Sequence, residues 1–367
     1  MFRVIIYLMR VTVIPVSDLD ASLRERWQAL QAAAPDLASP YFCLGFIDAV
    51  ASVRGDVRIA LLEEENRVVG FFPFQRRPRG VGRPVGLGLS DYHGLIAEPG
   101  LSLDPVELLQ GCGLVQWQFD HLPVSQSMFS PWMTAVEESP IMEVSQGFEH
   151  YESQRLALGG TELKTVRRRM RKLEREIGPI EFVAHDLDRR VFERVIELKS
   201  QQCRESGAYD FFTQAPWTRA LLEDLFAQQE AQGFQAVLSS LYADGQCIAA
   251  HFGLRSRDVW HWWFPCYEDS FSRYSPGLLL LYRLAEHAAA AGLRHIDLGK
   301  DLSRYKRNFM TGAIRVGAGR VLRRSAWTML SSMAAGVQRL ESRPALRPFF
   351  RLPAGLIRRA GRRARFR

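Results

Sequence analysis

Long apolar runs are missing from this sequence. No stretch approaches the roughly 18 residues that a membrane span requires. Met1–Leu8 is apolar but too short for a secretion signal, and it lacks a cleavage site. Cysteine is scarce: Cys43, Cys112, Cys203, Cys247 and Cys266 are odd in number, scattered and without paired spacing. That pattern argues against a disulfide framework and a zinc site, and it fits a reducing cytosol. The eight histidines show no HExxH or comparable ligand spacing, so no metal is implied. Acids are nearly missing from the C-terminal end, where fourteen arginines and one acid, Glu341, follow from Arg315 onward. That segment carries +13 against a net charge of +8, which leaves −5 for the remainder. The body is mildly acidic, and a nucleic-acid partner, which expects a basic face on the fold, is disfavoured.

What is present is a globular composition, 47% hydrophobic and 24% charged, in 367 residues, enough for two domains with ordinary cores. A faint repeat divides it. RIALLEEENRVVGFFPFQRR (58–77) predicts strand, turn and strand, with Asn66 near the turn. VLSSLYADGQCIAAHFGLRSR (237–257) has the same form, with Asp244-Gly245 as the hairpin turn. Gly70 against Ala249 gives an offset of 179, and Asp120 of WQFDH against Asp297 of RHIDL gives 177. Near-equal offsets suggest one βββαβ module used twice. The expected architecture is α/β, with two tandem modules of mixed central sheet flanked by helices. An N-terminal module covers 1–150, a basic connecting helix 151–178 and a C-terminal module 179–322. An Arg-rich tail, amphipathic or disordered, covers 323–367. Within the connecting segment, 161–177 holds seven basic and three acidic residues between Gly159-Gly160 and Gly178-Pro179. Lys164, Arg168, Arg171, Lys172 and Arg175 share a side at helical spacing, a solvated face or a binding face for an anionic acceptor. The tail interleaves arginine with Phe349, Phe350, Leu352, Leu356 and Ile357, which suits an anionic lipid surface at ~1 kcal/mol per basic residue.

Residues 276–306 carry the densest chemistry. Ser275-Pro276-Gly277 predicts a helix start, with Ser as cap and Pro in the first turn. The helix spans Leu278–Ala291, strand Arg294–Leu298 follows, and Gly299 ends it. A loop feeding a helix N-terminus suits a diphosphate. Beyond the strand lie Asp297, Lys300, Tyr305 and Lys306, where a β/α sheet places its chemistry. His251 in CIAAHFGL lies on the second hairpin beside Ala249 and Ala250, which leave space, as a general base or a hydrogen-bonded core histidine. Asp297 is the alternative base, or an orienter of His251 or Tyr305. VWHWWFPCY (259–267) offers three of the eight tryptophans, either as strand packing or as an aromatic wall. In the first module, Asp91, Tyr92 and His93 precede a helix opened by Asp104-Pro105, and Asp120 and His121 end a strand. These two segments are expected to converge and shape an acceptor site at a cleft between modules.

Taken together, SDYHGLI (90–96), WQFDHLP (117–123), the basic helix at 164–175, IAAHFGLRS (248–256), YSPG (274–277) and DLGKDLSRYK (297–306) resemble the GNAT superfamily, in the double-domain branch that includes Fem-type aminoacyltransferases. More narrowly, they resemble the bacterial CelD-like acetyltransferases named for cellulose biosynthesis. The resemblance implies an acyl-CoA-dependent N-acyltransferase (EC 2.3.1 class), with acetyl-CoA or another acyl-CoA as co-substrate, acting on an envelope or exopolysaccharide precursor. It implies that Arg273, Tyr274, Ser275, Pro276 and Gly277 hold the CoA diphosphate and that Tyr305 protonates the leaving thiolate. His251 or Asp297 is then the base, and Lys300 and Lys306 bind phosphate or a substrate carboxylate. The acceptor implied is a small-molecule or lipid-linked sugar, in the cytoplasm or at the inner face of the membrane. YSPG departs from the glycine-rich R/Q-x-x-G-x-G/A loop usual in that superfamily, which leaves room for another activated donor. The competing expectations are a Fem-type enzyme drawing on charged tRNA, and a non-catalytic accessory subunit of a polysaccharide synthase docked through the tail.

Overall fold

The computed structural model describes residues 9–228 and 233–323. The tail beyond residue 323 lies outside them. In chain order the first elements are β1 (Arg10–Ile14), α1 (Ala21–Ala33), α2 (Leu44–Val53), β2 (Val57–Glu64), β3 (Arg67–Arg77), β4 (Val81–Arg83) and β5 (Ile96–Ala97). Next come α3 (Pro105–Gly111), β6 (Gln116–Pro123), β7 (Met133–Glu143), α4 (Phe148–Ala157), α5 (Glu162–Glu176), β8 (Ile180–Val183) and α6 (Arg189–Glu205). The chain then forms α7 (Phe211–Gln214), α8 (Pro216–Ala227), β9 (Phe234–Ala243), β10 (Gln246–Ser256) and β11 (Val259–Tyr267). It ends with α9 (Pro276–Ala290), β12 (His295–Asp297), α10 (Arg304–Phe309) and β13 (Gly312–Leu322). No helix among the described residues is long and apolar enough to cross a membrane.

Two compact units share these elements. Among the described residues, the first unit takes 9–30, 54–135 and 317–323, and the second takes 31–53 and 136–316. The units interleave in sequence, whereas the sequence boundaries ran straight along the chain. The helix expected as a connector, α5, lies inside the second unit. Its Leu163, Val166 and Leu173 are buried in that unit's core.

In the first unit, β1 to β4 pair antiparallel in turn, and β6 joins β4 in parallel. In the second, β8 to β11 pair antiparallel in turn, and β12 joins β11 in parallel. The repeat sensed in the sequence is therefore a repeat of topology. Both hairpins close through two residues of positive φ: Glu65 and Asn66 at 48° and 62°, Asp244 and Gly245 at 49° and 75°. That is the turn whose twist matches the strands, and Asn, Asp and Gly tolerate it best. Each parallel strand is preceded by a crossover helix, α3 and α9 respectively.

Aromatic and branched residues fill each core because a pleated strand buried on both faces accepts them. Phe72 packs edge-on against Trp117 at 4.9 Å in the first unit. In the second, Trp260, Trp262 and Tyr274 pack with Leu279, Leu280 and Leu284 of α9. Each such side chain contributes roughly 1.5–3 kcal/mol by leaving water. Of the tryptophan-rich strand, Trp260 and Trp262 are core residues.

Candidate active site

The second unit brings Asp297 and Lys306 and, through Trp262, Tyr305 and His251 to the region where β11 and β12 part. Their parallel ladder has three pairs, Val259 with His295, Trp260 with Ile296 and His261 with Asp297. β11 then runs on to Tyr267 while β12 ends. α9, which crosses between them, begins at the Tyr274–Gly277 loop.

That loop is held by α5. The Tyr274 hydroxyl donates to Glu176 Oε2 at 2.8 Å, and the Arg273 guanidinium lies 4.6 Å from the Tyr274 ring centre. Arg273 also pairs with Glu176 at 3.6 Å. Ser275 adopts the left-handed conformation (φ 57°) and makes no side-chain cap hydrogen bond, contrary to the cap expected of it. Its carbonyl instead accepts from Leu278 N–H at 2.9 Å. Pro276 takes the first helical position, where its lack of an N–H costs nothing, and Gly277 follows.

Tyr305, on α10, is half-buried, and its hydroxyl oxygen accepts from the Trp262 indole N–H. Burial pushes its pKa up to about 12, the Trp262 contact offsetting this only in part. The Trp262 ring in turn stacks on His251, with centres 4.1 Å apart. Tyr305 and His251, distant in sequence, thus share one tryptophan.

His251 is completely buried, and its Nε2 accepts from Trp263 N–H at 3.1 Å. Burial, reinforced by His261, drives its pKa well below the ordinary value. A neutral imidazole has one lone pair. Here Trp263 occupies it, so the geometry does not offer His251 as a base. Gly253 makes room for this arrangement: a Cβ there would lie 2.2 Å from His251 Cε1.

Asp297 is 1% exposed, and its Oδ1 accepts from Ser139 Oγ and from Gly299 N–H, both at 2.8 Å. His261 Nδ1 lies 3.7 Å from the same oxygen, and Tyr41 meets the His261 ring edge-on at 5.1 Å. Asp297 therefore fixes the end of β12 with His261 beside it, a juxtaposition that sequence reasoning missed along with Ser139 and Tyr41. The missing signal was the pairing of His261 with Asp297 across the parallel ladder, which no local pattern encodes. Lys306 is likewise turned inward. It is 8% exposed, and its Nζ donates to the carbonyls of Gly299 and Lys300 at 3.0 and 2.9 Å, closing the loop after β12. Lys300 sits 3.3 Å from Glu137.

The first-unit group also converges, within that unit. His93 Nε2 accepts from the N–H groups of Asp120 and His121 at 3.1 Å each. His121 lies between two carboxylates, its Nδ1 at 3.2 Å from Asp120 and its Nε2 at 3.5 Å from Asp91. Burial takes the His93 pKa down to about 3, against the pull of Asp120. Tyr92 is a buried core residue. All five thiols are free, and burial pushes Cys43 up to about 11 and Cys112, Cys247 and Cys266 up to about 12. Those four hold their protons near neutrality and are poor nucleophiles.

Residues 162–307 match the family model described as an acetyltransferase (GNAT) domain. No curated protein matches the sequence. Among solved structures, the chain resembles FemX at 8% identity and TM-score 0.55, over 84% of this chain and 98% of that one. It resembles a tandem GNAT protein from the clavulanic acid biosynthesis pathway at 11% identity and TM-score 0.51, over 87% and 100%. A third likeness is the C-terminal domain of a putative lysylphosphatidylglycerol synthetase from Agrobacterium fabrum, at 13% identity and TM-score 0.51, over 86% and 95%. At such identities the likeness is one of fold. This chain thus has a tandem GNAT-like fold, with its acetyltransferase (GNAT) domain match at residues 162–307 in the second unit.

Proposed function

We propose that this protein transfers an acyl group from an acyl-CoA to an amine by direct attack. The observation that carries the reading is Tyr305: a hydroxyl held in the protonated state, fixed on Trp262, beside the parting of β11 and β12. In the reaction, the amine nitrogen forms a bond to the thioester carbonyl carbon and the C–S bond breaks. Tyr305 donates its hydrogen to the departing sulfur. The lone pair of His251 is engaged by Trp263 N–H; the amine enters as its free base, and its surplus proton leaves through solvent, which restores the proton that Tyr305 gives to sulfur. The protonated cysteines favour this direct route over an acyl-enzyme. The start of α9, at Ser275–Gly277, supplies the helix end for the donor's diphosphate. An envelope or exopolysaccharide amine, extending to cellulose biosynthesis, is the acceptor that the sequence resemblance implies.

Calorimetric titration with acetyl-CoA, beside Tyr305→Phe, tests the proposal. Saturable binding by both proteins supports it. No heat with acetyl-CoA or longer acyl-CoAs overturns it.

A second reading, with charged tRNA as the donor, rests on α5. Lys164, Arg168, Arg171, Lys172 and Arg175 are all exposed along its length. Affinity for tRNA that falls steeply with salt is its signature.

A further inference from the structure

A cavity of about 300 Å³ opens in the first unit, independent of the acyl-transfer reading. β4 and β6 pair through two residues, Val81 with Gln116 and Gly82 with Trp117, and the cavity begins where that ladder stops. Its wall includes Arg83, Gln118, Asp120, Thr134 and Arg320, so two arginines and one aspartate line a small space.

Two buried polar side chains, Gln75 and His93, support this wall from behind. Gln75 is wholly buried; its Oε1 accepts from Gly86 N–H at 2.8 Å, and its Nε2 donates to Asp56 at 2.8 Å. These bonds pin the turn after Arg83, where Gly86 and Leu87 hold positive φ of 82° and 53°. Buried His93 fixes the backbone of Asp120 and His121 from behind. Arg83 donates to Gln118 Oε1, which sets its guanidinium. Thr134 Oγ1 ties to the Ala318 carbonyl at 3.2 Å, next to Arg320 on β13. Asp120 is backed by His121 and, beyond it, Asp91.

We propose that this cavity is a binding site for a small zwitterion, a compound in which an ammonium group and a carboxylate or phosphate lie a few bonds apart. Guanidinium forks match carboxylate and phosphate oxygens. Asp120, an acceptor when ionised, matches the ammonium. The lone carboxylate disfavours a polyanion. At the small end of the roughly 300–1,000 Å³ range of ligand sites, the cavity matches a small ligand better than a whole nucleotide or CoA. Amino acids and phosphorylated amino compounds are the class that fits.

The test is calorimetric titration of the full chain with O-phospho-L-serine, L-serine, 3-phosphoglycerate, glycerate and inorganic phosphate. The two glycerates replace the ammonium with a hydroxyl. Binding of phosphoserine or serine about tenfold tighter than the matching glycerate is expected, and the better of the two identifies the anionic group. Arg320→Gln weakens binding about tenfold while Arg320→Lys weakens it less, because the fork is lost but the charge kept. Asp120→Asn erases the preference for the ammonium. Arg83→Gln serves if Arg320→Gln does not fold, as judged by circular dichroism. Absence of binding by all five compounds overturns the proposal. So does binding without ammonium preference, or binding that these variants leave unchanged.

Discussion

Gly253→Ala tests the geometry around His251 most directly. Gly253 sits where the β10–β11 register slips between Phe252 and Leu254. An added Cβ would lie 2.2 Å from His251 Cε1, 2.6 Å from its Nε2 and 2.6 Å from the His261 carbonyl oxygen. The imidazole has nowhere to go, because it is wholly buried, stacked on Trp262 and bonded to Trp263 N–H. Overpacking a core costs about 1–3 kcal/mol. Breaking the Trp263 bond strands a buried donor for about 1–3 kcal/mol more. The expected loss of about 2–6 kcal/mol is a large part of a typical domain's 5–15 kcal/mol. Urea unfolding followed by tryptophan fluorescence measures it, since Trp260, Trp262 and Trp263 lie on β11, the strand paired with β10. In a His251→Ala background the same change is expected to cost about 1–2 kcal/mol less, because the His261 carbonyl contact alone remains. A Gly253→Ala variant within about 0.5 kcal/mol of wild type refutes the packing described, since that is the effect of an ordinary surface substitution.

Further outcomes follow from the same structure. Tyr305→Phe keeps acetyl-CoA affinity within about threefold but lowers thioester cleavage with an amine acceptor about 100-fold, measured as released thiol. Unchanged cleavage makes Tyr305 a packing residue. His93, at about 3 in the fold and near 6.5 unfolded, binds its proton more readily in the unfolded chain. Stability therefore falls as pH drops from 6.5 toward 3, by up to about 1.4 kcal/mol per pH unit for this group. His93→Gln flattens that slope. Burial raises the Asp56 pKa, but hydrogen bonds from Arg54, Gln75 and Arg77 outweigh this and hold it at about 2. Its contribution is present above about 3.9 and is lost below that, a lower and separable window. Lys306→Met is expected to cost about 2–4 kcal/mol and to speed amide exchange at Gly299 and Lys300. Lys300→Ala, whose partner Glu137 is half-exposed, costs under about 1 kcal/mol, which thermal unfolding distinguishes.

The sequence by itself determined what local chemistry can specify. Asp244-Gly245 demanded a two-residue hairpin, Asp104-Pro105 a helix start with Asp104 accepting from Val106 N–H, and the apolar stripe of α9 a buried crossover helix. The paired offsets foretold the doubled topology, since like patterns bury like faces. Tertiary structure alone decided the rest, and the reason is sequence distance. Ser139 and Asp297 stand 158 positions apart, and His261 meets Asp297 only because a whole helix intervenes between two parallel strands. Residues 31–53 and the second part of β7 pack with the second unit, so boundaries drawn along the chain miss them. Lys306 and Ser275 carried side chains that suggested a ligand and a cap. Folding gave the ammonium to two carbonyls and put the serine in a left-handed turn. Residue type set what each group was able to do; long-range packing chose its partner, because burial leaves a polar atom no alternative to the neighbour the fold provides.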